Sequence, residues 1–160
     1  MEKKLGGGIF SVNVENLFIR TSVGALFFCV HTQRCLFLMR SVKQRNTWGL
    51  VGGKQEANES VLDSLHREFT EELGFVPDYN RLIPIETFTS DDRKFKYVTF
   101  VCLIEKEFIP VLNHEHHGYC WIKIDHWPQP LHPGLWNTVK FQEIKDKIQT
   151  VADIFTIELH

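Results

Sequence analysis

No apolar run in this chain approaches the roughly 20 consecutive residues that a membrane-spanning helix needs, so the sequence contains no helical membrane anchor. Its opening hexapeptide, MEKKLG, has none of the hydrophobic character of a secretory signal. Neither sign of charge dominates: 18 Lys and Arg face 20 Asp and Glu, a formal net charge of −2. That balance gives no electrostatic case for broad nucleic-acid or anionic-membrane binding. The four cysteines, Cys29, Cys35, Cys102 and Cys120, show no C-x-x-C spacing. Three of them sit inside apolar, strand-like runs, and the reading is free, buried thiols in a reducing, cytoplasmic compartment. Internal repeats and low-complexity tracts are also missing, which excludes solenoids and long linkers. At 160 residues and 43% apolar, residues 1–160 are expected to form one domain with a real core.

What the chain does have is concentrated between Gly52 and Phe75. The run from Ser60 onward reads as a helix: Ser60 is a cap with Asp63 three residues on, and Gly74 stands where a left-handed residue would end it. Leu62, Leu65, Phe69 and Leu73 recur at helical spacing and predict an apolar stripe packed on a sheet. At about 100° per residue, Glu68, Glu71 and Glu72 fall within an arc of roughly 100° beside that stripe. Carboxylates this close repel one another, and Arg67 alone does not offset them. Clustered hard oxygens suit Mg²⁺ or Mn²⁺, with water and substrate phosphates completing the shell.

The spacing is specific. Gly53 is followed by five residues and Glu59, then seven more and Arg67-Glu68-Phe69-Thr70-Glu71-Glu72-Leu73-Gly74-Phe75. Seven fixed Gly, Glu and Arg positions match by chance with odds on the order of 10⁻⁸ per starting point at ordinary composition. This order resembles the Nudix box, and the chain is identified on it as similar to the Nudix hydrolases, although the box covers only part of the chain. Many relatives carry Pro before the paired glycines where this chain has Val51.

Outside the box, residues 9–14 read as an edge strand after a Gly6-Gly7-Gly8 lead-in. Residues 22–30 and 35–40 read as strands joined at Thr32-Gln33-Arg34. Residues 82–87 and 97–104 predict a hairpin, 119–124 a further strand after a polar loop at 113–118, and 136–148 a C-terminal helix. The pattern supports a mixed α/β or α+β class. The resemblance implies the finer architecture: an α/β/α sandwich with a mixed central sheet, the box helix and a C-terminal helix.

The resemblance also implies an activity, namely Mg²⁺-dependent hydrolysis of the diphosphate linkage of a nucleoside diphosphate joined to another group, with Mn²⁺ as a substitute. It places metal ligands at the Gly52 carbonyl, Glu71 and Glu72, and gives Glu68 a share of the metal site or the role of general base. Arg67 would hold the carboxylates, Glu59 would pair with Arg67, and Gly53 and Gly74 would shape the box. A later acid often joins such sites, and Glu115 is the candidate. Neighbouring His114, His116 and His117 offer a base or phosphate contact, with surface histidines as the default. A zinc H-E-x-x-H reading fails because position 118 is Gly. Phe10, Phe18, Trp48, Phe88, Phe95 and Trp127 are candidate base-stacking platforms; Arg20, Arg40, Arg45, Arg93 and Lys94 are candidate phosphate contacts. The substrate within the class stays open, as does a homodimer, common among relatives. The alternative is a non-catalytic Nudix module that binds a nucleotide; an isomerase on the same fold is disfavoured because the box carboxylates are intact.

Overall fold

The computed structural model describes residues 19–41 and 46–158. The expected edge strand at 9–14, the glycine lead-in, Phe10, Phe18 and Arg45 lie outside them. Ten elements follow in chain order: β1 (Arg20–Cys29), β2 (Arg34–Arg40), β3 (Trp48–Gly49), β4 (Val51–Lys54), α1 (Val61–Leu73), β5 (Arg81–Thr89), β6 (Phe95–Ile104), β7 (His116–Lys123), α2 (Pro133–Val139) and α3 (Gln142–Glu158).

The strands form one mixed sheet in the order β3-β2-β1-β6-β5, with β4 paired to β1 and β7 to β2. The β1–β6 pair is parallel over its full length, from Arg20 opposite Phe95 to Cys29 opposite Ile104, and the other pairs are antiparallel. Alternation along β1 builds the layers. Leu26 and Phe28 point into one core with Leu135, Val139, Ile144 and Ile148 of α2 and α3. Ala25 and Phe27 point the other way, onto Leu65, Phe69 and Leu73 of α1. A strand covered on both faces must be apolar at successive positions, which is what β1 shows. The result is the expected α/β/α sandwich.

Helix α1 begins and ends as its sequence predicts. Ser60 Oγ accepts the Asp63 N–H at 3.0 Å; Gly74, at φ 87°, donates its N–H to the Thr70 carbonyl at 3.0 Å. The left-handed turn is open to Gly without strain. One member of the expected stripe is displaced: Leu62 is 46% exposed. Two parallel i, i+4 rows are buried instead, Leu65-Phe69-Leu73 against the sheet and Ser64-Glu68-Glu72 beside it. Leu62 falls outside both.

The single C-terminal helix expected at 136–148 is two helices, broken after Val139. Val139 and Ile144 are both buried in the same core. Five residues apart on one helix they would point about 140° from each other. The break resets the phase, so that Leu135 and Val139 of α2 and Ile144, Ile148 and Ala152 of α3 face the sheet together. Helix α2 starts earlier than expected because Pro133 occupies its first turn and His132 caps it, with Nδ1 accepting the Gly134 N–H at 3.1 Å.

Candidate active site

Strand β4 lies along the lower half of β1, with Gly52 opposite Gly24 and Gly53 opposite Val23, and packs against α1. The paired glycines form the seat for the polar row of α1. A Cβ on Gly53 would stand 1.7 Å from Glu68 Oε2, so only a bare backbone lets that carboxylate rest there. The Gly52 N–H donates to Glu72 Oε1 at 2.9 Å. A Cβ on Gly52 would meet the Val23 carbonyl oxygen at 1.9 Å. Glycine is demanded at 53 by a side chain and at 52 by the backbone of β1.

Both seated carboxyls are hidden from water: Glu72 is 2% exposed and Glu68 7%. Burial pushes the Glu72 carboxyl up to about 8, against the opposing pull of the Gly52 N–H. Burial likewise raises Glu68 to about 7, opposed by the Arg67 guanidinium. Glu71 projects outward, its side chain 51% exposed.

Arg67 ties the group together. Its Nε and Nη2 donate to the two oxygens of Glu59 at 2.6 and 3.0 Å, a bidentate clamp. Nη2 also donates to the Lys54 carbonyl at 2.8 Å, and Nη1 reaches Glu68 Oε1 and Glu71 Oε2, each at 3.3 Å. The Arg67 bonds hold the Glu59 carboxyl down at about 2. Arg67 therefore fixes the loop to the helix and turns the same planar cation toward two of the box carboxylates.

These residues open onto a cleft of about 920 Å³ whose far wall carries Arg40, Ser41, His114, Glu115 and His117. Glu115 stands on the loop just before β7, exposed, with its carbonyl accepting the Ser41 N–H at 3.0 Å. Of the residues expected on the box and on the later loop, Gly52, Gly53, Arg67, Glu68, Glu71, Glu72, His114, Glu115 and His117 line this one cleft, Glu59 joins it through Arg67, and Gly74 ends the helix away from it. Among the described residues, five carboxylates line the cleft against three cationic side chains, Arg40, Lys54 and Arg67. Of the expected phosphate contacts among the described residues, Arg40 is the one that lines it; Arg20 opens β1 outside the cleft lining, and Arg93 and Lys94 lie on the exposed β5–β6 turn. The aromatic platforms among the described residues are elsewhere as well. Trp48 and Trp127 pack on the α2–α3 core, and Phe88 and Phe95 sit on β5 and β6 away from the cleft walls.

His116 departs from the surface histidine expected. It is 4% exposed, and neither ring nitrogen has a hydrogen-bond partner among the described residues. One ligand-capable atom each from His116, Glu72 and Glu115 lie within 4.8 Å of one another. Burial, with Arg40 and His117 adding to it, lowers the imidazole to about 4, so the ring is neutral at ordinary pH. A register irregularity explains its direction. Met39 pairs with Gly118 but Arg40 pairs with His116, which skips His117. Cross-strand partners share a face, so this bulge moves His116 to the face of Leu38 and Arg40, toward α1.

A layered α/β/α frame with buried carboxylates seated on paired glycines, beside a cleft wide enough for a phosphate chain, defines the class of site. The chain belongs to the NUDIX domain family, whose model matches residues 19–141. It is 32% identical over 116 residues to a dihydroneopterin triphosphate diphosphatase of Haemophilus influenzae, covering 63% of this chain and 72% of that protein. Among solved structures, a MutT NUDIX hydrolase from Burkholderia pseudomallei superposes with a TM-score of 0.55 at 27% identity, over 72% of this chain and 91% of that one. A MutT/nudix family protein from Enterococcus faecalis gives a TM-score of 0.55 at 24% identity over 64% of this chain, which spans 43% of that protein's length. Among the described residues no helix is long and apolar enough to cross a membrane.

Proposed function

We propose that this Nudix hydrolase is a divalent-metal-dependent pyrophosphohydrolase, with Mg²⁺ as its ordinary ion and a nucleotide or pterin phosphoanhydride as substrate. The supporting observation is the pair of carboxyls, Glu68 and Glu72, buried against Gly53 and Gly52 at the floor of a cleft where, among the described residues, acids outnumber cations. A polyanionic substrate is repelled by such a cleft unless a cation joins it. Hard oxygen donors fit Mg²⁺ or Mn²⁺, and Glu71, Glu72 and the Gly52 carbonyl are the residues that would hold it, with Glu68 beside them. Bound there, the ion would neutralise the phosphoanhydride, orient it and acidify a water.

The remaining roles belong to the chain itself. Arg67 holds Glu68 and Glu71 at fixed distances, and Glu59 holds Arg67 in turn. The Gly52 N–H fixes the rotamer of Glu72. Glu68, with its affinity for a proton raised to about 7, is poised to take one from an attacking water near neutral pH. Glu115 approaches from the opposite wall as a further acid, and among the described residues Arg40 and Lys54 are cleft cations that would meet an incoming phosphate chain. The free thiols favour the reducing cytoplasm.

The Haemophilus relative makes dihydroneopterin triphosphate the first substrate to offer, followed by nucleoside triphosphates, sugar nucleotides and dinucleotides. The test is phosphate release in the presence of inorganic pyrophosphatase or phosphatase, with Mg²⁺ or Mn²⁺, before and after chelation. Turnover of one class that stops on chelation is expected. A folded, metal-loaded protein that hydrolyses none of them overturns the proposal.

A further inference from the structure

Building on the reading that Glu72 holds a divalent cation, we propose that His116, Glu115 and Glu72 form a mixed nitrogen–oxygen position in the cleft. This position favours a first-row transition ion such as Mn²⁺ or Co²⁺ over Mg²⁺. Nothing in the box requires a nitrogen donor; it comes from His116 on β7, buried behind the wall that carries Glu115.

Three observations carry this. First, the ring nitrogens of His116 are buried and have no hydrogen-bond partner among the described residues, a condition that disfavours a polar group unless something bonds to it. Second, the group lies within 4.8 Å of both carboxylates, the spread expected of donors converging on one ion rather than on one another. An imidazole with two acids around it and no hydrogen bond to either is placed for a shared third partner. Third, the bulge at His117 is what brings the ring to this face. Regular alternation would send His116 with Cys120 and Ile122 into the opposite core. Bulges of this kind re-aim side chains beside functional sites.

Ligand chemistry then sets the metal. Carboxylate and carbonyl oxygens serve Mg²⁺ and Mn²⁺ alike, whereas an imidazole adds affinity for Mn²⁺ and more for Co²⁺ but little for Mg²⁺. Arg40, opposite His116 on β2, opposes a second positive charge at this point, and the two carboxylates together offset it.

The test uses the full chain and Mn²⁺ alone, read by pulsed electron paramagnetic resonance. Protein labelled with ¹⁵N-histidine is expected to show ¹⁵N coupling to bound Mn²⁺. The coupling should persist when His114 and His117 are both changed to Gln and vanish in His116→Gln. Calorimetric titration should show His116→Gln weakening Mn²⁺ about tenfold or more while Mg²⁺ changes far less. The labelled wild-type measurement stands even if the His116 variant misfolds. Mn²⁺ that binds through Glu72 without histidine coupling, or with coupling that disappears in the His114/His117 variant, overturns this inference and leaves the proposed metal-dependent hydrolase intact. Failure of the folded protein to bind Mn²⁺ at all overturns both.

Discussion

Replacing Gly53 by Ala should separate catalysis from folding. The added Cβ would stand 1.7 Å from Glu68 Oε2 and 2.7 Å from its Cδ, whereas ordinary contact begins at 3.4 Å. The carboxylate must therefore retreat by nearly 2 Å, and it can, because it is the far end of a side chain at the edge of an open cleft. Displacement of a catalytic group by about 1 Å lowers rates on the order of 100-fold, equivalent to about 2.7 kcal/mol of barrier. Stability should change by less than about 1 kcal/mol, since the moved carboxyl regains water and Ala restricts the unfolded chain slightly.

Gly52→Ala is the internal control. Its Cβ would meet the Val23 carbonyl oxygen at 1.9 Å and Gly24 Cα at 2.8 Å. These are backbone atoms of β1 that cannot rotate away, so the β1–β4 pairing must shift. A loss of about 3 kcal/mol or more is expected, lowering the melting temperature by roughly 6–12 °C at this size. The assay is phosphate release beside thermal melts of wild type and both variants. Full turnover in Gly53→Ala would show that the seat of Glu68 is irrelevant to the chemistry. Unfolding of Gly53→Ala as severe as that of Gly52→Ala would show that the glycine pair is purely structural.

Three further outcomes are expected. Glu72→Gln should abolish turnover and metal-induced stabilisation without lowering the melting point of metal-free protein at pH 8, because the amide oxygen still accepts the Gly52 N–H and a buried charge is gone; a lower melting point would contradict this. Glu115→Gln should slow phosphate release while the box still binds metal, and unchanged kinetics would return Glu115 to a solvated loop. His132 gives a pH signature: its imidazole takes a proton near 6.5 when unfolded but, through burial and then Arg40, only near 4 in the fold. Its contribution is full above about pH 6.5 and lost as the pH falls toward 4. His132→Asn keeps an acceptor for the Gly134 N–H and cannot titrate, so urea melts at pH 7 and 5 should show it losing about 1 kcal/mol less than wild type, a figure reduced for the partial exposure of the ring. Equal losses would refute a His132 imidazole held neutral by burial.

The parts of this fold that local sequence dictates are the parts that were legible in it. Ser60, Gly74 and the i, i+4 rows of α1 define a helix whose caps and polar edge depend on neighbours within one or two turns. The fixed spacing of the box brings Glu68 and Glu72 onto one edge of that helix wherever it packs. Leu62 was misplaced because period alone does not say which of two adjacent rows meets the sheet. The C-terminal helix was misread for a related reason: only tertiary burial reveals that Val139 and Ile144 face one core and so require a break. The far wall of the cleft is a different case. Arg40 lines it and His116 lies buried behind it through the register of β2 with β7, 76 positions apart in the chain, and through a bulge at His117. A bulge inverts inside and outside at one position with no residue type that announces it. The near wall of this site is therefore written locally, whereas the far side is set by strand register, and it is there that the proposed donors able to distinguish one metal ion from another are found.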